Sequence, residues 1–450
     1  MALNTYFDAW NTGTSAIGTD KVIPEAGDYG FVVKAVIDFF NGTTSTTDAL
    51  SNPGVGGQIK RGIGFGVSSS SEAACFGQSE DAAGTSSTDR GQYITATIGS
   101  IATAGTIDGV FSLVSLDAGN TTTREPDDAM PASMRIMTIN IGGADASNVG
   151  IVRFQDSVGI GTVDVSTAAG NGFGFDPDLV FIIGIMLAAD PDTVTTVSSL
   201  SIGVCDLNNL TNQWNWFGRT HSGDTTPNSG CLFRAGQVIG STASTATSTP
   251  LVKADISVKL TGGFRVNYSV ADSPASGREE FALGIKFASG TSNYSVGTAA
   301  TLTNTTTDIP ISTSFTARGG MIVGHGRAAD ANQTPRASDR WSCGGFSWDD
   351  TTLRQGSMCT TSMDTVDPSQ EQSGVSHDNI LQHIASDALQ SEMRVREVTA
   401  SAVNLRMSTA EGTAADFGYV LWGDPPAGAG GDEFHFIPEA LALRPLTGVY

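Results

Sequence analysis

The chain has 450 residues, 24 of them basic and 46 acidic, with a formal net charge of −22. That balance repels polyanions and excludes nucleic acid as a partner, while it keeps a Ser/Thr-rich surface soluble. Only 16% of the residues are charged and 54 are glycine, which favours short strands joined by polar turns over long helices with charged faces.

Met1 to Phe7 has neither the basic segment nor the apolar core of a signal peptide, and no stretch is long enough to span a membrane. Synthesis in a cytoplasm without membrane insertion is the expectation. The five cysteines include no Cys-x-x-Cys pair, which argues against a zinc knuckle, and their odd number argues against a disulfide framework. Cys205 and Cys343 fall at similar points of two repeats and read as small buried residues.

Residues 1–28 read as an irregular N-terminal arm, because Gly13, Gly18, Pro24 and Gly27 break any period. The chain then gives one order of events three times. An apolar strand opens each copy: Gly30 to Phe40, Phe175 to Met186, and Phe315 to Gly326. Nearly continuous apolar runs suit strands covered on both faces. A glycine-punctuated strand follows at Arg61 to Val67, Leu200 to Asp206 and Trp341 to Ser347, where glycine signals close backbone approach. A third strand ends at Gly77, Gly218 and Gly356, before a polar loop.

Two alternating strands close each copy: Ile107 to Val114 with Ser133 to Asn140, Gly262 to Tyr268 with Phe281 to Phe287, and Ala402 to Met407 with Phe417 to Trp422. Gly240 to Pro250 reads as a loop, and Asp378 to Glu392 carries the caps and spacing of a short helix or an elaborated loop. A repeat on the order of 145 residues is too long for a solenoid unit. The expected fold is all-β: three tandem antiparallel β-sandwich, jelly-roll-like domains at 29–146, 147–294 and 295–424. A C-terminal docking tail, 425–450, completes the chain and carries Phe434, Phe436, Ile437, Leu441, Leu443, Leu446 and Tyr450, too many apolar groups for a solvated segment. With Tyr6, Phe7 and Trp10 of the N-terminal arm, they are the candidate interface residues.

Chemistry is sparse. His221-Ser222-Gly223-Asp224 lacks a nucleophile elbow, and three adjacent residues do not converge as a triad. Gly324-His325-Gly326 reads as packed, and His377 and His383 lack metal-ligand spacing. Gly62-x-Gly64-x-Gly66 has neither the helix nor the lysine of a phosphate loop, and the acidic turns at Asp190-Pro191-Asp192 and Asp349-Asp350 lack a calcium ligand ladder. No catalytic residue, cofactor or metal site is expected. Trp214 and Trp216 alternate on one strand face and are the candidate glycan platform, set against a reading as core at a domain contact.

Phe175-x-Pro177-Asp178-x-Val180, Gly263-Phe264-x-Val266-x-Tyr268 and Phe281-Ala282-Leu283-Gly284, with Gly64-Phe65-Gly66 and Phe417 to Gly423, resemble the tandem β-sandwich units of tailed-phage virion proteins. The resemblance covers residues 30–424 and describes a fold more than a function. It implies a non-enzymatic structural or accessory part of a phage particle: a turret, collar, head-decoration or tail-attached protein. Such a part is expected in the virion as a homo-oligomer that also contacts other virion proteins through its arms. Two alternatives stand beside it. One is an adhesin for a host-surface glycan, reading its ligand with the loops after Gly77, Gly218 and Gly356. The other is a polysaccharide depolymerase with a carboxylate pair in a cleft.

Overall fold

Strands and one 3₁₀ turn (Gly290–Asn293) make up the regular structure of the described residues, so the all-β expectation holds. The computed structural model describes residues 3–13, 17–24, 27–43, 45, 47–51, 58–80, 88–101, 106–116, 121–128, 134–188, 193–196, 198–220, 229–242, 250–271, 277–328, 336–363, 371–385 and 388–424.

The first segment carries β1 (Leu3–Asn11), β2 (Lys21–Ile23), β3 (Val33–Phe40), β4 (Ala49–Ser51), β5 (Gln58–Ser68), β6 (Ser71–Glu80), β7 (Thr88–Tyr93), β8 (Ile98–Ile101), β9 (Ile107–Ser115), β10 (Thr122–Asp128) and β11 (Arg135–Gly143). The second carries β12 (Ala146–Gln155), β13 (Gly161–Val165), β14 (Leu179–Ala188), β15 (Thr193–Thr196), β16 (Ser198–Asp206), β17 (Gln213–Thr220), β18 (Ser229–Ala235), β19 (Ile239–Thr242), β20 (Pro250–Leu260), β21 (Gly263–Ala271) and β22 (Arg278–Phe287). The third carries β23 (Tyr294–Ala300), β24 (Asp308–Ser312), β25 (Thr316–Ala328), β26 (Arg336–Ala337), β27 (Asp339–Trp348), β28 (Leu353–Ser362), β29 (Glu371–Ser376), β30 (Leu381–Ala385), β31 (Ala388–Val398), β32 (Ala402–Thr409) and β33 (Ala415–Asp424).

These strands form three seven-stranded and three four-stranded antiparallel sheets, each pair with the same order. In the second segment the orders are β12-β22-β14-β16-β17-β18-β26 and β13-β21-β20-β19. The seventh strand of each large sheet comes from another segment. β15 of the second pairs with β7 of the first, β26 of the third with β18 of the second, and β4 of the first with β29 of the third. The exchange therefore closes on itself: every segment lends one strand and receives one.

Each large sheet is covered on both faces. One face packs on its small sheet; in the second segment Val180, Ile182, Phe217 and Leu232 meet Val252, Ile256, Phe264 and Val266 there. The other faces of the three large sheets meet in the middle of the molecule. Phe65 of the first lies 6.2 Å from Phe181 of the second, and Phe181 lies 6.4 Å from Trp422 of the third. Trp216 and Trp341 pack at 6.5 Å. Double coverage is why the opening strands are apolar without alternation, in the manner of sheets buried on both sides.

The recurring glycine has a steric cause. Gly64, Gly203 and Gly344 sit opposite Asp38, Ile182 and Ile322 on the neighbouring strand. A Cβ at each would overlap the backbone carbonyl oxygen of Thr97, Val238 or Ile380, at the approach to edge strands β8, β19 and β30 of the small sheets. Only glycine lets the two layers approach this closely. The same register shows that Cys205 and Cys343 are not equivalent: one follows its glycine by two residues, the other precedes it by one. All five cysteines are buried and unbridged.

Two further expectations are corrected. Residues 1–28 are not an irregular arm throughout, because β1 pairs with β11 from Leu3 to Asn11 and β2 pairs with β10. The glycines and proline that suggested irregularity lie outside these strands. Asp378 to Glu392 holds no helix among its described residues. Leu381–Ala385 and Ala388–Val398 pair as a hairpin whose apolar Met393 and Val395 point into the core.

Candidate functional site

The tryptophans chosen as a glycan platform are not available to a ligand. Trp214 and Trp216 are fully buried where the large sheets meet. Their indole N–H groups donate across segments to the carbonyl oxygens of Tyr419 and Arg340, both at 3.0 Å. The reading as core at a contact between repeats is the correct one.

The N-terminal interface candidates are also spent inside the chain. Phe7 and Trp10 are buried, and Trp10 Nε1 donates to Thr138 Oγ1 at 3.0 Å. The Phe7 amide donates to Ser347 Oγ of the third segment at 2.9 Å. Tyr6 is half-buried, with the Arg354 guanidinium 4.5 Å from its ring centre. The candidates Phe434, Phe436, Ile437, Leu441, Leu443, Leu446 and Tyr450, together with His221 and Asp190 to Asp192, lie outside the described residues.

His325 and His383 are buried, and burial lowers the His383 pKa to about 3. Asp349 and Asp350 each hold an arginine: Asp349 Oδ2 accepts from Arg354 at 3.0 Å, and Asp350 pairs with Arg318 at 2.6 Å. No cluster of three or more His, Cys, Asp or Glu side chains able to hold a metal occurs among the described residues.

One group of buried acids was not foreseen. Glu280 on β22 is fully buried, and neither carboxylate oxygen has a hydrogen-bond partner. Burial pushes its pKa well up, and the nearby Asp156 charge adds to the effect against Arg278. Burial also raises Asp156 to about 6, opposed by its hydrogen bond from the Arg278 amide. Such shifts mark candidate sites. The signal in the sequence was the unbroken Arg278-Glu279-Glu280 run opening an apolar strand, which places Arg278 and Glu280 on one face and Glu279 on the other.

A cleft of about 460 Å³ opens between the first and third segments. Its floor is the start of β1, whose amide at Leu3 donates to Asp424 Oδ1 at 3.2 Å. Tyr6, Tyr29 and Phe31 line one wall. Trp348 and the four-residue turn after it, joining β27 to β28, form the other. Arg318 and Arg354 also line the cleft and are clamped by Asp350, Asp424 and Asp349. Against the upward push of desolvation, bonds to Asp349 from the Thr351 hydroxyl, Arg354 and the Thr352 and Thr351 amides hold its carboxyl below the usual range. Asp350 has a φ of 71°, a left-handed conformation that Asp tolerates better than most residues.

The equivalent place between the second and third segments is closed. Tyr294 of β23 faces Trp422 as Thr5 of β1 faces Ile141, so the two hold matching register positions. The Tyr294 ring stacks on Phe287 at 5.0 Å, and its hydroxyl donates to Asp206 at 2.7 Å and accepts from Asn208 at 2.8 Å. Tyr294 is only 5% exposed. Thr5 is too short to fill the same volume and instead accepts the Trp422 indole N–H at 2.7 Å. No protein-family model matches the chain, and no curated protein matches it either.

Proposed function

We propose that the protein is a non-enzymatic structural component of a phage particle, in which one chain of three β-sandwich domains does the work of a trimer. The observation that carries this reading is the closed exchange of β4, β15 and β26 among the three large sheets. Each exchanged strand pairs along the outer edge of a receiving sheet, an edge otherwise ready to pair with foreign strands. A subunit made this way holds three similar units around a common core without depending on its own concentration, as a trimer of separate chains would. Rigid, self-completed sheets suit a part that must bear load at a fixed place. The virion resemblance of the strand motifs points the same way.

In this reading the 425–450 segment provides the attachment, both to copies of itself and to other virion proteins. Its apolar residues supply contact area of the kind buried at interface cores. Sedimentation velocity and particle imaging of the full chain and of residues 1–424 test the idea. The full chain is expected to assemble, and the shortened chain to remain a folded single molecule with an unchanged melting temperature. A shortened chain that assembles as the full one does overturns the role of the segment.

A further inference from the structure

We propose that the cleft between the first and third segments is a binding site for a neutral oligosaccharide, with Trp348 as its stacking platform. The inference goes beyond the structural role and does not depend on it.

Trp348 differs from every other tryptophan of the chain. Trp10, Trp214, Trp216, Trp341 and Trp422 are buried and packed against aromatic partners. Trp348 is half-buried, lines the cleft, and has neither an aromatic partner nor a side-chain hydrogen bond among the described residues. An indole left in this way offers an apolar face and an N–H at one end, the two features a pyranose ring uses: C–H groups on one face and hydroxyls at the rim. Tyr6 and Tyr29, with ring centres 5.0 Å apart, line the same cleft from the first segment.

The polar groups fix the ligand class. Arg318 and Arg354 are already engaged by carboxylates, so neither offers an open fork to a phosphate or a sugar acid. Asp28, Asp349, Asp350 and Asp424 outnumber the two arginines and give the cleft a negative field. Carboxylates fixed by arginine are rigid acceptors for hydroxyl donors, and the outer guanidinium N–H groups are donors to hydroxyl oxygens. A volume of about 460 Å³ is that of an ordinary small-ligand site.

The second observation is the contrast between equivalent boundaries. The same fold fills this place with Tyr294, Asp206 and Asn208 at the second boundary, where the tyrosine hydroxyl closes the network. At the first, Thr5 replaces the tyrosine and Asp350 takes a left-handed backbone to reach Arg318. Backbone conformations of this sort collect at ligand clamps. The cleft is therefore open at one of the two boundaries compared and filled at the other.

The test is a glycan array of neutral hexose oligosaccharides and their sialylated and sulfated counterparts, probed with the full chain. Titrations of the best neutral ligand follow, read by tryptophan fluorescence and calorimetry. Binding of neutral members only is expected, with a change in emission from Trp348. Trp348→Ala should weaken binding by about tenfold or more, and Trp348→Phe should recover part of it. Asp350→Gly keeps the left-handed backbone but releases Arg318, and should weaken binding while leaving the melting temperature unchanged. Ile160→Ser, at an exposed position outside the cleft lining, should bind as the parent does. The proposal is overturned if no neutral oligosaccharide binds, if acidic glycans bind equally well, or if a folded Trp348→Ala protein binds unchanged.

Discussion

The first and second segments place opposite chemistry at one and the same position. In the first, Asp38 of β3 and Arg124 of β10 face each other across the two layers, fully buried, at 2.6 and 2.9 Å. The register through the shared glycine puts Ile182 and Val266 there in the second segment, and Ile322 and Leu405 in the third. The ion pair has its own support. Thr138 Oγ1 donates to Asp38 at 2.6 Å, Thr97 Oγ1 accepts from Arg124, and the guanidinium lies 5.9 Å from the Trp10 ring centre. One fold thus tolerates either a satisfied charge pair or two aliphatic side chains, provided that both partners change together.

Breaking one partner should have the largest effect. Arg124→Leu leaves Asp38 buried without its ion-pair partner, and is expected to cost about 3–5 kcal/mol in urea denaturation. A loss below about 1 kcal/mol would mean that the pair does not define this core.

The second segment has its own departure from its copies. Glu280 occupies the position of Ile136 in the first segment and Phe417 in the third, made possible by the missing side chain at Gly184. A carboxyl whose folded pKa is raised opposes folding when charged, and this cost disappears as pH falls through the folded pKa toward the unfolded one. Glu280→Gln should therefore raise the melting temperature by about 2–4 °C at pH 8. The gain should shrink as the pH falls toward the ordinary carboxyl range, because burial raises the Glu280 pKa and the folded protein takes up this proton before the unfolded chain does. His383 works in the opposite direction below pH 6.5, because its folded pKa is lowered, but it is common to both proteins and cancels in the difference. A gain independent of pH would show that charge is not its origin.

The smallest change is expected where both partners of the pair are replaced. Asp38→Ile combined with Arg124→Val copies the second segment into the first and should be no less stable than the parent. If the double variant is as poor as Arg124→Leu alone, the two segments are not interchangeable in the way their registers suggest.

The sequence made the strands legible where they carry long apolar or glycine-marked runs, such as Leu179 to Leu187 or Arg61 to Val67. It misled at the N-terminus because the breakers from Gly13 onward outweighed the buried alternation of Leu3, Thr5 and Phe7. It misled at Asp378 to Glu392 because Leu381, Ile384 and Leu389 satisfy a helical spacing as readily as two short strands. The exchanged strands could not be read at all. Ala49–Ser51, Thr193–Thr196 and Arg336–Ala337 have no apolar pattern, since they contribute backbone pairing to a distant sheet. The fate of Trp214 and Trp216 depended on that same arrangement: period two assigns a face, and only the meeting of three sheets decides whether the face is wet. Nothing in the sequence marked Trp348, because the cleft it lines is formed with residues of β1 some 340 positions away.

Fusing three similar units into one polypeptide also settles how often each peculiarity occurs. Three identical chains sharing strands in the same circle would repeat every groove and every buried charge around the axis. Here the Asp38–Arg124 pair, the Glu280 carboxyl and the Trp348 groove each occur at one corner of the triangle, so the molecule has a front that a symmetric ring would lack, and a neighbour can tell its three sides apart.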